Sequence, residues 1–140
     1  MPRDPDKDDL RLLYQVTVAD LSYFKTQQWS VTNYVVLIYV ALVGVTQVID
    51  GPLRQTDRLV LVALALAAAI GALIIQAKLE KSISIRQSRL DSAREQMGEL
   101  FHFAWNAEGK GLEYFHAIHF LRATVILGAT LVIWLVGARL

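Results

Sequence analysis

Three long stretches without a formal charge constrain this chain more than anything else in it. They cover residues 30–49, 59–75 and 123–138, and the third lengthens to 117–138 if the residues before Arg122 continue the same helix. A helix needs about 20 apolar residues to cross the hydrocarbon layer, within a working range of about 17–25. No water reaches that layer, so every backbone N–H and C=O must be bonded internally, and an apolar run achieves this as a helix. The competing reading is three buried helices of a soluble bundle. Such helices normally carry a polar face turn after turn, and these do not. Composition agrees: 54% of residues are hydrophobic and 19% charged, with a mean hydropathy of +0.38, against roughly 45–50% and about 25% in soluble domains. The expected fold class is an all-α integral membrane protein with three transmembrane helices.

Several function classes drop out. The chain has no cysteine, hence no disulfide framework, thiolate metal site or cysteine nucleophile. Its net charge of +1 gives no bulk attraction to nucleic acid. No glycine-rich phosphate loop, nucleotide fingerprint or nucleophile elbow occurs. The first apolar run begins only at residue 30, behind an acidic, patterned segment, so it does not read as a cleaved leader.

Lysine and arginine set the expected orientation. Arg3, Lys7, Arg11 and Lys25 precede the first run, and Arg54 and Arg58 lie between the first and second. Lys78, Lys81, Arg86, Arg89, Arg94, Lys110 and Arg122 lie between the second and third, and Arg139 follows. With the N-terminus inside and the C-terminus outside, eleven of these fall inside and three outside, as the positive-inside rule prefers. The expected location is the cytoplasmic (inner) membrane.

Outside the runs, residues 1–9 read as a disordered cytoplasmic tail and 10–140 as one helical membrane domain. Leu10, Tyr14, Thr17, Leu21, Phe24 and Gln28 recur at four- and three-residue steps, a seam for one partner helix. One rod from about residue 10 to 49 follows, ended by Asp50-Gly51-Pro52, with Thr56 or Asp57 capping the second span. A second seam, Leu79, Ile83, Arg86, Leu90, Ala93, Met97, Leu100 and Ala104, extends that span through residues 76–105. A straight helix to residue 105 would reach about 45 Å past the membrane, too far for a short loop to return to the third span. A break at Asp91-Ser92 is therefore expected, because Ser92-Ala93-Arg94-Glu95 fits a capping box.

Four groups of residues are candidates for a site or an interface. Ser22, Thr26, Asn33, Val40, Gly44 and Gln47 share one face of the first helix. The stripe of Asn33, Val40, Gly44 and Gln47 reads either as the lining of a pore or as hydrogen-bonding glue between helices. Alanine pairs at four-residue spacing (Ala65 with Ala69, Ala67 with Gly71, Ala68 with Ala72), together with Gly128, permit close helix approach. Glu99 with His102 and Glu113 with His116 form two Glu-x-x-His copies, followed by His119. Di-iron and di-manganese carboxylate bundles use that pattern, but they also need two further glutamates, and Glu80, Glu95 and Glu108 do not clearly supply them. Ordinary helix-surface Glu–His pairing is the plainer reading. Finally, Arg86, Arg89 and Arg94 would meet anionic lipid, and Phe101, Phe103, Trp105, Tyr114, Phe115 and Phe120 form an aromatic group that would rest at headgroup level.

In layout, a few membrane helices continued by cytoplasmic helices, the chain resembles small bacterial membrane effectors and many other membrane proteins of no assigned role alike, a likeness that carries no residue with it. The function expected is a non-enzymatic homo-oligomer in the lipid bilayer that forms a pore or otherwise perturbs permeability. There is little mass outside the helices for a catalytic pocket. The alternatives are a membrane-bound di-iron or di-manganese protein and a purely structural subunit.

Overall fold

The computed structural model describes residues 5–97 and 112–138, with side-chain surroundings for 7–97 and 116–138. These residues form three helices: α1 (Pro5–Val48), α2 (Gln55–Glu95) and α3 (Leu112–Ala138). At 1.5 Å per residue they are about 66, 61 and 40 Å long. Each is long and apolar enough to cross a membrane, and among the described residues there is no strand.

Nothing interrupts α1, because no proline or glycine lies between Pro5 and Gly44. It starts at Pro5, inside the segment expected as a tail, and proline suits a first helical position because the N–H it lacks would be unbonded there anyway. The rod ends where Asp50-Gly51-Pro52 is placed to end it. Gly51 has φ +88°, a left-handed conformation that glycine adopts without a Cβ penalty. Leu53 tucks back into the apolar core beneath the turn. The cap of α2 differs from expectation: neither Thr56 nor Asp57 is the N-cap. Arg54 takes that position in extended conformation, its C=O accepting from the Arg58 N–H at 3.1 Å. Asp57 sits in the first turn, where its charge suits the helix dipole.

The expected break at Asp91-Ser92 does not occur. α2 runs through it to Glu95 and ends at Gln96. The Ser92 hydroxyl donates back to the Ser88 carbonyl at 3.1 Å instead of capping a new helix. Seam continuity decides the matter, since Leu90 and Ala93 on either side are both buried. The distance problem is relieved by the helix stopping ten residues short of position 105. Residues 98–111 lie outside the described set.

Side-chain bonds fix the arrangement. Arg86 meets Asp20 and Gln76 meets Thr32, so α1 and α2 are antiparallel. Arg122 meets Glu80, and with Thr32 level with Gln76 and Tyr39 bonded to Val125 α3 runs antiparallel to α2. The Tyr39 hydroxyl donates to the Val125 carbonyl at 3.0 Å, with α1 and α3 parallel. The bonds at Thr32–Gln76 and Glu80–Arg122 put one end of all three apolar runs (near Ser30, Ile75 and Ala123) at a common level. Beyond that level all three helices continue on the same side. Within the runs, Val35, Tyr39 and Leu42, Leu61, Ala65, Ala69 and Ala72, and Val125, Ala129, Val132 and Val136 form one core. Beyond them the two seams meet each other: Thr17, Ile83, Leu90 and Ala93 are buried. Arg86 bonds Asp20 at 3.2 Å and lies 4.1 Å over the Phe24 ring.

Candidate functional site

α1 carries polar residues on two separate faces. The inner set, Thr17, Gln28, Thr32 and Thr46, is buried. Thr32 is the centre of a relay: Gln76 Nε2 donates to its Oγ1 at 2.8 Å, and that hydroxyl donates to the Gln28 carbonyl at 3.1 Å. Gln76 itself is 0% exposed. A bonded amide in an apolar bundle ties two helices in one register, because sliding either one leaves the group unpaired. Sequence reasoning placed Gln28 on a seam but missed Thr32 and Gln76. The available signal was the position of Gln76, first polar residue after a seventeen-residue apolar run.

The outer set is the stripe. Ser22, Thr26, Asn33, Val40, Gly44 and Gln47 are all exposed, centred about 130° around the helix from the buried set. Thr26, Asn33, Val40 and Gln47 follow one another at strict seven-residue intervals, the spacing of a seam between supercoiled helices. Asn33 and Gln47 lie about 21 Å apart along the axis, with Val40 midway. An open groove along Val18, Leu21, Ser22, Lys25, Thr26 and Trp29 extends the stripe past the end of the apolar run. The Thr26 hydroxyl turns back to the Ser22 carbonyl at 3.0 Å.

The outward faces of the other two helices contrast with this. Within its run α2 shows Leu59, Leu64, Leu66, Ile70 and Ile74, and α3 shows Ile126, Leu127, Leu131 and Trp134. Thr130 is also exposed on α3, but its hydroxyl is bonded to the Ile126 carbonyl at 2.9 Å. Only α1 presents side-chain amides outward within a span. The alanine spacing divides similarly: Ala65, Ala69 and Ala72 face the core, while Ala67 faces out. Gly128 admits Tyr39, whose ring atoms Cδ2 and Cε2 would lie 2.6 Å from a Cβ at that position.

Part of the remaining candidates falls outside the described residues. Glu99 and His102 of the paired Glu-x-x-His lie outside the described residues, as does the side chain of Glu113. His116 and His119 are exposed near the start of α3. Among the described residues no three histidine or acidic side chains gather as metal ligands would. Glu80 is engaged by Arg122. Of the three arginines assigned to lipid, Arg86 is turned inward onto Asp20 and Phe24, Arg94 bonds Asp91 at 3.0 Å, and Arg89 is exposed. No known protein family, curated protein or solved structure matches the chain.

Proposed function

We propose that the protein acts in the membrane as a homo-oligomer whose α1 helices face one another and line a narrow path that changes membrane permeability. The observation that supports this reading is the asymmetry of the outward faces: those of α2 and α3 carry no side-chain amide within the spans, and that of α1 carries Asn33 and Gln47. Asn33 turned to hydrocarbon would lose its water bonds with no replacement, so this face is better placed against other copies than against lipid. The heptad spacing along Thr26, Asn33, Val40 and Gln47 suits helices wound about a shared axis.

A path lined this way has amides near both ends of the span and Val40 at its middle. A ring of valines is a hydrophobic constriction, which blocks conduction by excluding water until it widens. Amides favour neither sign of charge, so selectivity does not come from the stripe. The extension of α1 is packed on α2 through Asp20–Arg86, and in this reading it acts as a lever outside the membrane. By the distribution of lysine and arginine, that lever is cytoplasmic.

Planar-bilayer recording tests the reading. Val40→Asn, which wets the constriction, raises conductance, and Gln47→Leu alters it, with oligomer mass unchanged in both. If Asn33→Leu and Gln47→Leu dissociate the oligomer and no current flows in any variant, the stripe is glue and the protein is a structural subunit.

A further inference from the structure

Immediately past its apolar run, the outward face of α2 changes from isoleucine to lysine. Ile70 and Ile74 are exposed within the run, and Lys78, Lys81, Ile85 and Arg89 continue the same face, all exposed. The acidic residues that could neutralise these cations are directed elsewhere. Glu80 bonds Arg122, Asp20 bonds Arg86, and Asp91 bonds Arg94. Among the described residues no acidic side chain pairs with Lys78, Lys81 or Arg89.

Height above the hydrocarbon separates the cations. The headgroup layer is about 5–8 Å deep on each side, the difference between a bilayer of about 40–45 Å and its core of about 30 Å. Counted from Ile75, Lys78 stands about 4.5 Å and Lys81 about 9 Å along the helix axis, whereas Arg86, Arg89 and Arg94 stand about 16, 21 and 28 Å out. Lysine stems also bend toward their preferred depth. Lys78 therefore falls within this layer, Lys81 stands at its outer edge with a stem long enough to bend back into it, and the three arginines stand well beyond it.

We infer that Lys78 and Lys81 bind the phosphate of an anionic phospholipid, with one acyl chain lying along Ile74 and Ile70. The two lysines are three residues apart on one helix face, so they are neighbours and can share one headgroup. The apolar strip below them gives a lipid, rather than a soluble phosphate, the better fit. This inference rests on the reading above in one respect, that α2 faces lipid and not another copy.

The test uses the full chain in nanodiscs of mixed phosphatidylcholine and phosphatidylglycerol, measuring which lipid stays bound on extraction and, in the same sample, the oligomer mass. Three double variants are compared: Lys78→Gln with Lys81→Gln, Lys78→Arg with Lys81→Arg, and the charge-matched control Arg11→Gln with Arg89→Gln. The expected result is a loss of phosphatidylglycerol preference of about fivefold for each lysine removed, with preference kept in the arginine variant and in the control. An unchanged preference in the glutamine variant, or an equal loss in the control, overturns the site. If the glutamine variant alters oligomer mass, α2 lies between copies and the outward reading of that helix fails with it. An altered mass in stripe variants alone leaves the lipid site standing.

Discussion

Gly128 offers the sharpest quantitative test of the packing. An alanine Cβ there would lie 2.6 Å from two ring atoms of Tyr39. The ring cannot swing aside freely, being 4% exposed and held at its far end by the hydroxyl bond to Val125. Overpacking of this kind costs about 1–3 kcal/mol. Losing the interhelical hydrogen bond adds about 0.6 kcal/mol, at most about 1.7. Alanine in place of glycine favours the helix itself by about 1 kcal/mol. The net expectation for Gly128→Ala is a destabilisation of about 1–3 kcal/mol. In a Tyr39→Ala background the clash is gone and only the helix term remains, so the same substitution becomes neutral or stabilising by up to about 1 kcal/mol. SDS titration of detergent-solubilised protein, followed by tryptophan fluorescence, measures all four corners of this double-mutant cycle. Equal costs in the two backgrounds would show that Gly128 does not face Tyr39, and the parallel α1–α3 packing would be wrong.

Three further predictions follow from other parts of the molecule. Glu80→Arg and Arg122→Glu each place like charges together and destabilise the bundle, while the exchanged pair recovers most of the loss. The effect of simply removing one partner is at most about 1 kcal/mol, because both side chains are part-exposed. A reporter active only in the cytoplasm is expected to be silent when fused after Leu140 and active when fused before Met1; activity at both ends would refute the three-pass orientation. Metal analysis of purified protein is expected to find no stoichiometric iron, manganese or zinc, and bound metal lost in His102→Ala and His116→Ala would transfer the function to a metal centre.

What the sequence made legible was local. Apolar runs, seams at three- and four-residue steps and the Gly51-Pro52 stop all depend on neighbours within a turn or two, and the three helices follow from them. Capping patterns were less dependable. Ser92-Ala93-Arg94-Glu95 has the residues of a capping box, yet burial of Leu90 and Ala93 in one continuous seam outweighs it. Directions set by partners far along the chain were not legible. Arg86 reads as a surface cation until Asp20, sixty-six residues away, draws it inward. The stripe is an intermediate case. Spacing alone placed Asn33, Val40, Gly44 and Gln47 on one face, but only the packed position of Thr32 and Gln28 on another face shows that the stripe points outward. The relay through Gln76 had no local signature beyond its place at the end of a run.

Cysteine cross-linking between copies tests the central claim most directly, and the absence of native cysteine makes every introduced one unique. Val40, Ile70 and Leu131 are similarly exposed, at 64%, 57% and 55%, and each lies within an apolar run on a different helix. A disulfide requires Cα atoms within about 4.4–6.8 Å, so only residues on a face shared between copies can form one. Mild oxidation in membranes at low protein density is expected to cross-link Val40→Cys and to leave Ile70→Cys and Leu131→Cys monomeric. Cross-linking through Ile70 or Leu131 but not through Val40 would contradict an oligomer built around α1.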